Sequence, residues 1–307
     1  MTMPVHIVHG KKEGPRLFVC AAIHGDEIIG TEIIRRLMLF KKIKKLNGTL
    51  LAVPVVNVYA FLQQSRYSPD RRDLNRFFPG SEKGSLTSQL ADIFIDEIVK
   101  NSTHGIDLHA GSNHRTNLPQ IRANLDDRAT KHMAEAFKVP IIINSNIRDG
   151  SLRQVVADEG IPFLLYEAGE VLRFDEGAIR AGIRGILSVM ESIGMLKPSR
   201  SRKSAVEPLI ADTTTWIRAP SSGILHMNVP LGGKVGKKRK LGEIADPFGI
   251  HKADVIEAPA SGMVIGRLNL PLVHQGDAVI HIAHIDRLSG IEPVIADFKE
   301  EVQITTL

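Results

Sequence analysis

Up to about residue 195, short apolar runs of strand length alternate with segments whose apolar residues recur at helical spacing. Leu17 to Ile23 and Leu50 to Val56 are the first two runs; Ile106 to Leu108, Ile141 to Ile143 and Phe163 to Tyr166 follow. Glu27 to Phe40 and Leu86 to Val99 show the spacing of amphipathic helices, with Ser85 or Thr87 placed to cap the second. Ala178 to Ile193 predicts a closing helix. Few folds bury both kinds of element in this order, and the pattern predicts an α/β sheet with helices on both faces. Open sheets of this type place their ligands at strand ends. The polar residues that follow the apolar runs are therefore the ones to read for chemistry.

After the first run stands His24-Gly25-Asp26-Glu27, an imidazole and a carboxylate three residues apart. Two ligands from one tight turn and one remote ligand make a catalytic zinc site with an open position, and His109, just past Ile106 to Leu108, is the remote candidate. Each residue alone has an ordinary explanation, since such pairs arise by chance and strand-end histidines commonly hydrogen-bond in loops. Glu167 stands at the end of the run Phe163 to Tyr166. A carboxylate there can take a proton from water and return it, or it can simply pair with an arginine. The loop-like stretch Arg66 to Gly80 holds Arg66, Arg71, Arg72 and Arg76 beside Asn75. A guanidinium fork and an amide donor can clamp an anionic end while another arginine faces a developing oxyanion. The competing reading is a solvated loop whose arginines pair with Asp70 and Asp73.

Four segments together carry a resemblance. His24-Gly25-Asp26-Glu27-Ile28-Ile29-Gly30, Asp73-Leu74-Asn75-Arg76-Phe77-Phe78-Pro79-Gly80, Asp107-Leu108-His109 and Tyr166-Glu167-Ala168-Gly169 resemble the succinylglutamate desuccinylase/aspartoacylase family. That family belongs to the zinc carboxypeptidase-like hydrolases. The resemblance implies a mixed sheet flanked by helices and one Zn2+ per chain, held by His24, Glu27 and His109. It makes Glu167 the general base and acid, and Asn75 with Arg76 the binders of an amino-acid carboxylate. Arg66 is the implied oxyanion residue, with Arg71 and Arg72 in the same loop; Arg71 is also a substrate-binding candidate. Arg153, in Gly150-Ser151-Leu152-Arg153, resembles a substrate-contacting position or lies on a helix surface. The implied reaction is zinc-dependent hydrolysis of the amide bond of a small N-acylated amino acid. A metallocarboxypeptidase acting on peptides would use the same residues, and a non-catalytic metal- or ligand-binding protein is a third reading. Homo-oligomer formation is a further expectation from the resemblance.

Near Lys197-Pro198-Ser199-Arg200 the chain turns polar and basic, which divides it into residues 1–197, a linker at 198–205 and a β-rich unit at 206–307. In the last unit Ala219-Pro220-Ser221-Ser222-Gly223 and Ala258-Pro259-Ala260-Ser261-Gly262 form a near-repeat, each ahead of a short apolar run. Many short strands with Gly/Pro turns predict a small all-β domain. It resembles the barrel-sandwich hybrid of biotinyl and lipoyl carriers but lacks the Met-Lys-Met or Asp-Lys-Ala tip that would take the cofactor. Shielding the active site, setting its size or supporting oligomer contacts are the roles left to it. His226, His251, His274, His281 and His284 show no compact ligand spacing and read as surface or hydrogen-bonded residues.

The chain has 307 residues, 43% hydrophobic and 24% charged, as a globular enzyme does. The single cysteine, Cys20, lies in an apolar run and reads as a core residue, so nothing implies an oxidising compartment. No signal peptide or membrane-length apolar run is present, and a cytoplasmic location is expected. A net charge of +5 and a pI near 9.3 raise the question of nucleic acid. The basic clusters Lys41 to Lys45, Arg200 to Lys203 and Lys237 to Lys240 have no interleaved aromatics, and aromatic content is 5%. They read as a helix end, a linker and a solvated turn, with no nucleic-acid or membrane partner.

Overall fold

A computed structural model describes residues 2–145, 150–198 and 206–304. In chain order the first part comprises β1 (His6–His9), β2 (Arg16–Ala21), α1 (Ile29–Leu37), β3 (Thr49–Val53), α2 (Val58–Leu62), α3 (Leu86–Phe94) and β4 (His104–Gly111). It continues through β5 (Arg115–Ala123), α4 (Arg128–Phe137), β6 (Ile141–Asn144), α5 (Leu152–Asp158), β7 (Phe163–Glu170) and α6 (Glu176–Ser192). Strands β3, β2, β4 and β7 are parallel neighbours, whereas β1 and β5 pair antiparallel at either side of them. The sheet is therefore mixed.

Strand β2 shows why both faces need cover. Leu17 to Ala21 are all buried, and alternation sends Leu17, Val19 and Ala21 to one face and Phe18 and Cys20 to the other. The first set packs with Ile33 of α1, Phe137 of α4 and Ile183 of α6. The second packs with Leu90 and Phe94 of α3 and with Leu152 and Val156 of α5. Ser85 caps α3 by accepting a hydrogen bond from the Ser88 N–H. Helix α1 stops at Leu37 rather than reaching Phe40, so Lys41 to Lys45 fall in a turn and a short 3-10 segment and do not close the helix as expected.

Strand β5 has no counterpart in the apolar pattern. It contains Pro119, and the pairing with β7 shifts register between Asn117 and Gln120, so the proline sits at an irregularity where no ladder bond is required.

The second part does not stand apart as an all-β unit. It comprises β8 (Leu209–Ala211), β9 (Thr214–Arg218), β10 (Gly223–Met227), β11 (Lys234–Val235), β12 (Lys240–Ala245), β13 (Asp254–Glu257), β14 (Gly262–Leu268), β15 (Leu272–Val273), β16 (Ala278–His284) and α7 (Ile291–Ile304). Strand β8 pairs with β6, and β14 pairs with β5 and carries β16 and β9 outward, giving one twelve-stranded sheet among the described residues. A four-stranded sheet, β13-β12-β10-β15, lies across a separate core that includes Val235, Leu241, Val264 and Ile280. The closing helix α7 corrects the all-β expectation. It returns to α6, where Arg184 Nη1 donates to Glu301 Oε2 at 2.7 Å and the guanidinium lies over Phe298. Of the linker segment, residues 199–205 lie outside the described residues. No described helix is long and apolar enough to cross a membrane.

Candidate active site

Cys20 and Ala21 of β2 lie in register with Asp107 and Leu108 of β4, so the chain leaves both strands at one edge of the sheet. His24 and Glu27 occupy the turn between β2 and α1, which the Glu27 N–H closes onto the His24 carbonyl at 3.1 Å. Gly25 packs against α2 so closely that a Cβ would lie 2.0 Å from the Ala60 carbonyl carbon. His109 is on β4, with Glu167 of β7 as its register partner.

The three candidate ligands are brought together. Both imidazoles turn Nδ1 toward Glu27, His24 at 2.7 Å from Oε1 and His109 at 2.7 Å from Oε2. Their outer nitrogens are also held: His24 Nε2 is 3.0 Å from Asp73 Oδ1, and His109 Nε2 is 2.6 Å from Asp107 Oδ2. Glu27 further accepts the Ala110 N–H at 3.0 Å and an Arg66 N–H at 3.2 Å. One donor atom from each of His24, Glu27 and His109 lies within 4.8 Å of the others, and all three residues are buried. Among the described residues this is the one group so spaced. Two imidazoles and a carboxylate, with each outer nitrogen bound to a second carboxylate, is a donor set suited to a single zinc ion.

Electrostatics agree with that fit. Burial pulls the His24 pKa down, but Glu27 and Asp73 outweigh it and the value is raised. The same opposition leaves His109 well raised, through Asp107 and Glu27. Burial pushes Glu27 up, yet the two imidazoles hold it well below the usual carboxylate range. The carboxylates around the two rings thus favour positive charge there, which a divalent cation would also supply.

The remaining candidates divide. Arg66 lines the cavity, and its second nitrogen donates to Asp73 Oδ2 at 2.9 Å. Asn75 accepts the Leu152 N–H on Oδ1 at 3.0 Å, which leaves its amide N–H groups for the cavity it lines. Arg76 and Arg153 line the same cavity, Arg153 donating to Ser145 Oγ at 2.5 Å. Arg71 is not brought there: it is exposed in the left-handed turn after Ser68, with φ 61°. Arg72 pairs with Asp70 and lies over the Phe77 ring, also outside the cavity. The loop thus fits both sequence readings, with Asp70 and Asp73 pairing arginines while Arg66 reaches the candidate ligand Glu27.

Glu167 faces the cavity half-buried, with Oε2 accepting from Asn117 Nδ2 and Oε1 3.8 Å from Arg122 Nε. Sequence reasoning gave Asp73 only as an arginine partner, not as a partner of His24, and gave no role to Asp107, Asn117 or Arg122. Asp107 had a signal, since residues two apart on a strand share a face. Asn117 and Arg122 lie on β5, which the apolar pattern did not reveal. Cys20 does more than fill the core, because its thiol lies 3.4 Å from Asp107 Oδ1; burial and Asp107 raise its pKa well above the usual thiol value, so it donates. The cavity encloses about 550 Å3, and Asp212, Thr214 and Trp216 from the second part of the chain complete its wall.

Residues 13–193 match the model of the succinylglutamate desuccinylase/aspartoacylase catalytic domain, well over half of the chain. The chain belongs to the succinylglutamate desuccinylase/aspartoacylase family. A relative within reach of sequence comparison is the N-alpha-acetyl-L-2,4-diaminobutyric acid deacetylase of Halomonas elongata. It is 26% identical over 296 residues, covering 92% of this chain and 86% of that protein. The crystal structure of a succinylglutamate desuccinylase/aspartoacylase from Rhodobacter sphaeroides superposes with a TM-score of 0.82 at 24% identity, covering 92% of this chain and 89% of the other. The product-bound ectoine utilization protein EutE (DoeB) from Ruegeria pomeroyi also gives 0.82 at 24% identity, with 91% and 88% covered. These two likenesses establish the fold of this desuccinylase/aspartoacylase family member along nearly its whole length, including the second part.

Proposed function

We propose that this chain is a zinc-dependent hydrolase that cleaves the amide bond of a small N-acylated amino acid. The observation that carries the reading is the delivery of Glu167 to the cavity of the His24-Glu27-His109 group, on the strand next to His109. Zinc held by those three residues would polarise the amide carbonyl and acidify water. Glu167 takes the proton from the attacking water and passes it to the leaving nitrogen. The Asn117 amide fixes the carboxylate's direction by occupying Oε2. Arg66, anchored by Asp73, presents positive charge to the oxyanion that forms on the carbonyl. The Asn75 amide and the Arg76 guanidinium hold the carboxylate of the amino acid. Arg153, which lines the same cavity, is a further substrate contact. Products are a carboxylic acid and a free amine.

A cavity of about 550 Å3 completed by Asp212, Thr214 and Trp216 supports a small substrate over a peptide. The activity named for the Halomonas relative supports N-acyl amino acids as the class. In this reading residues 1–197 supply the chemistry and 206–307 build the wall that sets the cavity's size. The test is a mass-spectrometric hydrolysis panel of N-acetyl and N-succinyl amino acids beside short peptides, with Glu167→Gln as control. Cleavage of the small amides by wild type, with most turnover lost in Glu167→Gln although zinc is retained, is the expected result. Glu167-dependent release of C-terminal residues from peptides alone would make the protein a carboxypeptidase instead.

A further inference from the structure

Two β-bulges lie side by side where the second part of the chain joins the first. On β5 the step from Asn117 to Gln120 spans three residues, against two from Glu167 to Gly169 on β7. The extra residue sets Asn117 opposite Gly169, where an unbroken ladder would set Leu118, and Leu118 turns into an apolar cluster with Met263 and Ile265. On β14 the pairing with β16 shifts between Val264 and Gly266, and Ile265 enters that same cluster. Gly266 is thereby in register with Asn117 on one side and His281 on the other. Asn117 lies on the cavity face, diagonal to Glu167, and its Nδ2 donates to Glu167 Oε2. The other end of that carboxamide fills the notch left by the glycine. A Cβ on Gly266 would stand 3.0 Å from Asn117 Oδ1, 3.2 Å from His281 Cβ and 3.6 Å from Trp216 Cη2.

A carboxamide carries an acceptor at one end and donors at the other, and only the donor end meets a carboxylate favourably. With Oδ1 seated against Gly266, the amide presents its N–H to Oε2. A proton on Oε2 would set an O–H against that N–H, two donors with no acceptor between them. Oε1 accepts no hydrogen bond among the described residues, and Arg122 Nε at 3.8 Å stands beyond bonding reach. We propose that Asn117 and Gly266 are positioning residues for Glu167, which direct the transferred proton to Oε1. The proposal rests on the amide-hydrolase reading above. In each cycle an O–H bond of the attacking water breaks, its proton forms an O–H on Oε1, and the oxygen bonds to the carbonyl carbon. The same proton then passes from Oε1 to the leaving nitrogen as the C–N bond breaks, so Glu167 ends as a carboxylate. The second part of the chain is more than a wall: β14 sets how the base of the first part is held.

The experiment measures kcat and KM of zinc-loaded wild type, Asn117→Ala, Asn117→Asp, Gly266→Ala and the double variant Asn117→Ala with Gly266→Ala, on the N-acyl amino acid that wild type cleaves fastest. Asn117→Ala should lose about 100-fold in kcat with KM little changed, and so should Asn117→Asp, which keeps the shape but not the donor. Gly266→Ala should lose about 10-fold in kcat on wild type and under about twofold on Asn117→Ala, where its methyl group meets no carboxamide. Wild-type kcat in Asn117→Asp, a loss expressed through KM, or an equal Gly266→Ala loss in both backgrounds overturns the proposal. If wild type cleaves no N-acyl amino acid, the hydrolase reading fails on its own. Side-chain amide resonances then decide the proposal. The Asn117 pair, identified in nitrogen–proton NMR spectra by its disappearance in Asn117→Asp, should shift in both Glu167→Gln and Gly266→Ala. Unchanged positions in either variant overturn the placement of the carboxamide between Gly266 and Glu167.

Discussion

His281→Phe should change how stability depends on pH. The histidine is 2% exposed, stacks on Trp216 with ring centroids 4.2 Å apart and planes 9° apart, and has no hydrogen-bond partner for either nitrogen among the described residues. Phenylalanine preserves a ring of similar outline without those atoms. The folded-state pKa of about 3 lies below the value of 6.5 for a free side chain, so the unfolded chain takes up the proton first. The contribution is therefore fully present above pH 6.5 and is lost as pH falls toward 3. From pH 7 to pH 5 it amounts to about 2 kcal/mol, the proton binding almost wholly to the unfolded chain. Urea unfolding of wild type and His281→Phe at both pH values reads it directly, because every other titrating group, including His24, Glu27 and His109, cancels in the double difference. The variant should gain about 2 kcal/mol on wild type between pH 7 and pH 5. An equal stability difference at the two pH values would refute the reasoning, since His281 would then titrate as an exposed residue does.

Other expectations concern the proposed metal site. Asp107→Asn removes the charge that holds the outer nitrogen of His109, and zinc affinity measured by chelator competition should weaken by about 10- to 100-fold. Unaltered affinity would show that the 2.6 Å contact does not orient the ring. Gly25→Ala drives a methyl group into the backbone of α2, which must shift with the His24–Glu27 turn. Thermal unfolding should report about 1–3 kcal/mol of destabilisation, with zinc affinity falling in parallel. A variant as stable as wild type would contradict the packing described for that turn.

Legibility from sequence followed burial. Strands β2, β4 and β7 lie at the centre of the sheet, so their sequences are continuous apolar runs, and the residues after them stood out as candidate ligands. Strand β5 is just as central but carries Arg115, Asn117, Gln120 and Arg122, because residues from both ends of it line the cavity. Its polar content and Pro119 hid both the strand and the two residues that flank Glu167. The helix α7 was hidden for another reason: its apolar residues pack on α6 of the first part, a contact that no local pattern announces. Arg71 looked equivalent to its loop neighbours until the left-handed turn placed it in solvent.

A zinc titration of chelator-stripped protein, with hydrolysis of the best N-acyl amino acid as readout, tests the central claim most directly. Wild-type activity should be absent before addition and saturate at one equivalent of zinc per chain, while His24→Ala neither retains the ion nor recovers activity. Full hydrolysis in the stripped protein, or stoichiometric zinc in His24→Ala, would contradict the assignment of His24, Glu27 and His109 as the catalytic metal site.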